Sequence, residues 1–308
     1  VRSSAASDVY KRQVFISVNK ICMNIKYTFS GHESFPCKSL WLKKGYDFVN
    51  HERNFNAPDA VIDLGVGKNM VSSIRFWLKS FGLYDGEHLS ELADYLFDEV
   101  AGRDKYMEDL ATLWLLHFTI VTSGEATLYD WLFKGLQKER KEFDRAQVLS
   151  YVKRRLLEDN KYSLFNENTV KKDIGVLLLN YIIPQKASAN EDYSSLLLEL
   201  DLIRMDSDNN KAYFFNIEGK RQVTPEIFFY GLVKLKGEEQ TIPYELLQEL
   251  GLIFCMSDLE TINMLKYIAE KYNNFVNYSD VAGIRQMQFI QDIDPMMVLN
   301  NYYDNADI

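Results

Sequence analysis

Three short stretches carry residue types that could do chemistry. His32-Glu33 sets an imidazole beside a carboxylate, the pairing used for metal ligation or acid/base work. No second His follows at i+4, and only His51, His88 and His117 remain in the chain. The metal-ligand spacing is therefore missing, and the expected role is a turn whose side chains satisfy backbone donors. Gly65-Val66-Gly67-Lys68-Asn69 resembles a phosphate loop, which requires Gly five residues before the Gly-Lys pair and Ser or Thr after it; Ile62 and Asn69 stand there instead. No cofactor is expected at that turn. Lys153-Arg154-Arg155 and Lys171-Lys172 form one positive face if their helices pack together, although Glu158, Asp159 and Asp173 are interspersed. Such a face contacts nucleic-acid phosphates or is simply solvated.

The element that must position the glycine turn is Ala57 to Leu83, which reads as a short helix, a tight turn and a longer amphipathic helix. That is a helix-turn-helix pattern, equally compatible with a plain helical hairpin. Val71, Ile74, Leu78 and Phe81 fall at i, i+3, i+7 and i+10, one apolar stripe at the helical period. Burial of the four contributes roughly 1.5 to 3 kcal/mol each. In this reading Gly67 adopts φ > 0 and Asn69 caps the second helix. If the helix reads DNA, Lys68 and Lys79 lie near phosphates while Asn69, Ser72 and Ser73 reach base edges or backbone. Arg75 flanks the stripe and serves a phosphate or an internal carboxylate. Phe76 is placed on the outer face, where an aromatic suits a base or protein contact, or packs on the helix from Leu110 to Thr122.

The remaining chain predicts a mostly α protein with small β-hairpins and one or two winged-helix modules. A short strand through Ile25, Tyr27 and Phe29 precedes a helix containing Trp41, Leu42 and Tyr46. Leu110 to Thr122 is apolar around most of its circumference and is expected to be the central buried helix, with His117 a hydrogen-bonded core residue. Further helices are expected at Ala126 to Leu136, Phe143 to Asn160 and Asn166 to Tyr181, the last capped by Asn168. Leu202 to Met205 pairs with Ala212 to Ile217 across a polar tip, giving helix, helix and hairpin in winged-helix order. Helices follow at Pro225 to Lys236 and Asp258 to Tyr272, then an extended aromatic stretch at Phe275 to Ile290 and a closing helix from Pro295 to about Tyr303. The division expected is 1–22 leader, 23–142 helical domain with the helix-turn-helix, 143–222 second winged-helix-like module and 223–308 α+β region.

Composition fits this reading: 47% of the 308 residues are hydrophobic and 26% charged, which describes an ordinary globular chain and excludes disorder as its main state. Residues 3 to 13 resemble translated sequencing adapter, and Met23 is the expected start. Without residues 1 to 22, Arg2, Lys11, Arg12 and Lys20 leave with Asp8, so the formal charge moves from −9 to −12. An acidic chain gains little from general phosphate neutralisation, so any DNA contact needs a local basic face. Cys37 and Cys255 form no paired motif, which argues against a disulfide framework or zinc knuckle. Leu110 to Val121, the longest apolar run, is too short to span a bilayer, and a cytoplasmic protein is expected.

Several segments together resemble the bacterial domain-of-unknown-function family 4007 (DUF4007). They are Phe29-Ser30-Gly31-His32-Glu33-Ser34-Phe35-Pro36, Trp41-Leu42-Lys43-Lys44-Gly45, Leu64-Gly65-Val66-Gly67-Lys68-Asn69-Met70-Val71, Tyr106 to Leu116, and Ala282-Gly283-Ile284-Arg285-Gln286 with Asp294-Pro295. Leu110 departs from the proline that the family pattern implies. The resemblance implies a gene travelling with phage-defence and DNA-modification loci, often beside a phosphoadenosine-phosphosulfate (PAPS)-reductase-like protein of the phosphorothioation or BREX type. It supplies no catalytic residue. Two functions are expected: a non-enzymatic DNA-binding or adaptor subunit, with Lys68, Asn69, Ser72, Ser73, Phe76, Lys79, Lys171 and Lys172 at the DNA, or a scaffold for the PAPS-reductase-like partner without DNA contact. A nuclease needs clustered carboxylates and a metal, a pattern the sequence does not show.

Overall fold

The computed structural model describes residues 27–183, 194–206, 211–217, 219–220, 222–281 and 283–306. The expected leader, residue Ile25 of the first strand and the tip 207–210 of the hairpin lie outside them. The chain is helix-rich, with two small antiparallel three-stranded sheets.

The N-terminal part holds α1 (Trp41–Asn50), α2 (Ala60–Leu64), α3 (Lys68–Ser80), α4 (Glu91–Phe97) and α5 (Leu110–Thr122). The apolar stripe of α3 packs inward as its spacing requires: Val71 is 5% exposed and Ile74, Leu78 and Phe81 are fully buried. The turn before α3 differs in detail from the sequence reading. Gly65 takes the left-handed conformation at φ 61°, and Gly67, at φ −66°, is the N-cap. Asn69 lies inside the first turn of α3, two residues past the capping position. Tyr27 to Phe29 form no strand; Thr28 N donates to Thr127 Oγ1 at 2.7 Å, and the rings of Tyr27 and Phe29 lie against Trp131. Their alternation thus serves packing on a helix instead of sheet pairing.

After α5 come α6 (Thr127–Asp130), a π-helical turn (Trp131–Leu136) and α7 (Gln137–Glu139). Next, β1 (Glu142–Asp144) runs straight into α8 (Arg145–Glu158), because Asp144 accepts from Gln147 N while the Gln147 side chain accepts from Asp144 N. Then follow α9 (Glu167–Tyr181), capped by Asn166, whose side chain accepts from Thr169 N, and not by Asn168, which lies inside the first turn, then β2 (Ile203–Met205) and β3 (Ala212–Phe215), with strand order β1-β3-β2. α10 (Pro225–Lys236) starts on a Thr224 cap with proline in its first turn.

The extended stretch expected after residue 275 closes a second unit of the same order. β4 (Thr241–Pro243) leads directly into α11 (Tyr244–Ile253), a helix absent from the sequence reading. α12 (Asp258–Lys271), β5 (Val276–Val281) and β6 (Ile284–Phe289) complete it, with order β4-β6-β5, before α13 (Pro295–Tyr303). The chain therefore contains two β-α-α-β-β units in which the last strand lies between the first strand and its hairpin partner.

α5 is the centre of the core, buried from Ala111 to Val121. Cys37 and Cys255 are buried and free. Among the described residues no helix is long and apolar enough to cross a membrane. Within α5, His117 Nε2 lies 2.7 Å from the Ile253 carbonyl of α11, and Nδ1 lies 2.8 Å from the Tyr181 hydroxyl of α9. A carbonyl only accepts, so Nε2 carries the proton and Nδ1 accepts from the tyrosine. One neutral imidazole thereby ties α5 to a helix of each repeated unit.

Burial lowers the His117 pKa from 6.5 to about 3. Between those values the unfolded chain binds the proton more readily, so stability falls as pH drops below about 6.5. His117→Gln should remove a component of that loss, up to about 1.4 kcal/mol per pH unit, in urea unfolding followed from pH 7 to pH 4. Identical pH slopes for the two proteins would contradict a buried neutral imidazole.

Candidate nucleic-acid interface

Opposite its buried stripe, α3 carries Lys68, Ser72, Arg75 and Lys79 at i, i+4, i+7 and i+11, one line along the helix. Lys68, Asn69 and Ser72 are exposed, and Arg75 and Lys79 half-buried. Arg75 Nη1 donates to Asn56 Oδ1 at 3.0 Å, and no carboxylate lies within ion-pairing distance of Lys68, Arg75 or Lys79 among the described residues. Arg75 thus takes neither an internal carboxylate nor the interior. Ser72, Arg75 and Lys79 border, with Phe55 and Asn56, a shallow depression of about 230 Å³. The α3 rise of about 1.5 Å per residue spreads the three cations over roughly 17 Å.

Two residues placed at the DNA by sequence are held by contacts within the protein, although Phe76 is only half-buried and also lines that depression. Ser73 is fully buried and its hydroxyl donates to the His32 carbonyl at 3.0 Å. Phe76 packs edge-on against the His32 ring at 5.7 Å, under Gly31, where a Cβ would come within 2.5 Å of the Phe76 ring. Gly31 also sits at φ 106°, so only glycine passes over that ring without strain. Phe76 therefore packs against the segment at 31–32 and not against α5.

That segment is fixed from the other side by Asp173 of α9. Asp173 Oδ1 accepts from His32 Nε2 at 2.8 Å, Oδ2 accepts from Ser30 N at 2.9 Å, and the carboxylate is buried. Ser34 N donates to His32 Nδ1 at 3.1 Å, so the imidazole is neutral with its proton on Nε2. Trp77 Nε1 donates to the Phe35 carbonyl at 3.2 Å. His32-Glu33 is thus a structural turn, as its spacing indicates, with Asp173 as its unforeseen partner. The available signal was register: Asp173 lies three residues from Val170 and four from Leu177, on the inward face of α9.

The second basic face does not assemble as one surface. Arg154 pairs with Glu139, Arg155 sits over the Trp131 ring at 5.6 Å with Asp159 nearby, and Lys171 pairs with Glu167 at 2.5 Å. Lys153 and Lys172 are exposed without an ion-pair partner among the described residues. Local neutralisation leaves α3 as the longer run of uncompensated positive charge. Among the described residues no group of three or more His, Cys, Asp or Glu side chains is arranged to hold a metal ion.

The family model described as "Protein of unknown function (DUF4007)" matches residues 29–303. No curated protein matches the sequence. Two solved structures are similar to the chain: a magnesium ion-bound SspB, 23% identical with a TM-score of 0.78, and an SspB structure, 24% identical with a TM-score of 0.77. Each comparison covers 91% of this chain and 89% of the other. At that identity the likeness is one of fold.

Asp173→Ala leaves the buried His32 imidazole and the Ser30 N–H without their acceptor and should cost about 3 kcal/mol in urea unfolding. His32→Ala/Asp173→Ala should cost less than the sum of the single changes by about 1 to 3 kcal/mol. Additive losses would mean that the pair does not anchor the turn.

Proposed function

The chain belongs to the DUF4007 family, and on that premise we propose that it is a DNA-binding adaptor subunit of a bacterial anti-phage DNA-modification system of the phosphorothioation or BREX type, acting in the cytoplasm. The observation carrying the DNA half is the line Lys68, Ser72, Arg75 and Lys79, whose three cations lack carboxylate partners while the basic cluster around Arg154 is neutralised. α3 is narrow enough to enter a major groove about 12 Å wide, with Asn69 and Ser72 facing base edges or backbone. We read the two β-α-α-β-β units as winged-helix modules; their shared strand order and the short connection 254–257 between α11 and α12 support this.

The adaptor half rests on a different surface. The β5–β6 hairpin exposes Val281 at 68% and Ile284 at 66%, and Leu259 at the start of α12 is 69% exposed. The adjoining cation is neutralised, Arg285 by Asp280 at 3.0 Å. An apolar wing with self-paired charges suits a protein partner better than phosphates, and we assign it to the PAPS-reductase-like protein of the same locus.

Gel-shift titration across salt, with and without magnesium, tests the DNA half. Lys68→Ala/Arg75→Ala/Lys79→Ala should weaken binding and reduce the log–log salt slope by about 2 to 3, near 0.9 per phosphate contact. Salt-insensitive behaviour, or a triple variant that binds like the parent, removes this reading. For the adaptor half, Ile284→Glu should abolish co-purification with the PAPS-reductase-like protein while leaving DNA binding intact; undiminished co-purification counts against the hairpin.

A further inference from the structure

A cleft of about 520 Å³ separates the end of α3 and α5 from α10, α11 and α13. That volume is within the range of small-molecule sites, which favour junctions between packed units. Phe118 of α5 and Leu250 of α11 supply apolar lining, and three polar groups of α4 and α10 accompany them.

Tyr230 of α10 is 4% exposed and lines the cleft, where its hydroxyl makes no hydrogen bond to a described residue and is open to an occupant. Its pKa is pushed up to about 12, first by burial and then by the Glu91 carboxylate, which lines the same cleft. Lys234 follows Tyr230 by four residues, one turn along α10 on the same face. The other cleft charges are matched within the protein: Lys134 lies 2.5 Å from Asp130, and Glu249 lies 2.6 Å from Lys138. Glu91 and Lys234 have no ion-pair partner among the described residues. The cleft thus presents one uncompensated carboxylate on α4, and one uncompensated ammonium and an unbonded hydroxyl a helical turn apart on α10, against apolar walls.

We propose that this cleft binds a small zwitterion of the α-amino-acid type with an apolar side chain. Lys234 takes the ligand carboxylate, Glu91 takes its ammonium, Tyr230 donates to the carboxylate, and Phe118 and Leu250 cover the side chain. A ligand of single charge leaves either Glu91 or Lys234 facing it unpaired, which selects the zwitterion over simple anions and amines. Gly82, also at the cleft, lies just beyond the C-terminal end of α3, so an occupant sits next to the helix assigned to DNA. The cleft proposal does not depend on that assignment.

Calorimetric titration of the full chain with L-phenylalanine, phenylalaninamide and 3-phenylpropionate tests it. L-Phenylalanine should bind about tenfold more tightly than either singly charged probe. Lys234→Met should erase the advantage over the amide, and Glu91→Gln the advantage over the phenylpropionate. Both side chains are exposed, so these variants keep the fold, as circular dichroism will check. Thr122→Trp, from an exposed position on the cleft, should block all three probes. Equal binding of the probes, no binding of L-phenylalanine, or variants that leave its preference intact would overturn the proposal. The DNA titration of the triple α3 variant reads none of these outcomes.

Discussion

The carboxylate of Asp173 sets the position of everything around the basic helix. A buried carboxylate must have its lone pairs answered, and here the answer comes from a backbone N–H and an imidazole about 140 positions earlier in the chain. Meeting that demand bends residues 30–34 so that Ser30, Gly31, Glu33 and Ser34 all adopt positive φ. Three of these are not glycine, so the conformation carries strain that the surrounding bonds must offset. The same turn then holds α3: the His32 carbonyl receives Ser73, the Phe35 carbonyl receives Trp77, and Gly31 covers Phe76. With three consecutive layers of contact fixed on one side, the opposite line from Lys68 to Lys79 has a defined orientation.

Charge distribution explains how an acidic chain can still present a cationic line. The sequence places Glu or Asp three or four positions from many of its basic residues, as in Glu167 and Lys171 or Arg155 and Asp159, and such pairs cancel locally on a helix face. α3 has no acidic residue in its thirteen positions, so its cations cannot be answered from within the helix. The nearest acid-bearing helix, α2, spends Asp63 on Arg53 at 3.4 Å. Net charge is therefore a poor guide to the local field, which depends on which carboxylates reach which cations.

Much of the fold was legible because its signals are local. The α3 stripe, the central α5, His117 as a core residue and the β2–β3 hairpin all follow from period and turn chemistry, and the structure contains them. The misplacements share a cause: they depended on what a face meets. Ser73 and Phe76 sit on the polar side of α3 by periodicity, but the 30–35 turn arrives from outside the helix and covers that side. Asp173 looked like one more charge among neighbours until α9 turned it inward. α11 escaped notice because its ten residues begin directly after a strand at Pro243, without a side-chain cap to mark the start. Short strands of three residues, such as β1 and β4, carry too few positions for a period to show.

The repeated β-α-α-β-β order makes the differences between its two copies informative. Both bury their first strand against the last strand of the unit, yet they surround that common sheet with different surfaces. In the first copy, α9 turns Asp173 and Asn180 inward to hold the N-terminal segment, with Asn180 Oδ1 accepting from Cys37 N at 2.9 Å. Of its basic residues, Arg154, Arg155 and Lys171 are paired. In the second copy Val281 and Ile284 of the hairpin remain at the surface beside the chain reversal at Gly283. Isoleucine and valine facing each other across an antiparallel pair stabilise a hairpin through their contact, but neither needs two-thirds of its surface in water to do so. The two copies thus differ in what they present: the first commits Asp173 and Asn180 of α9 to the segment 30–37, while the second leaves an apolar hairpin end in water.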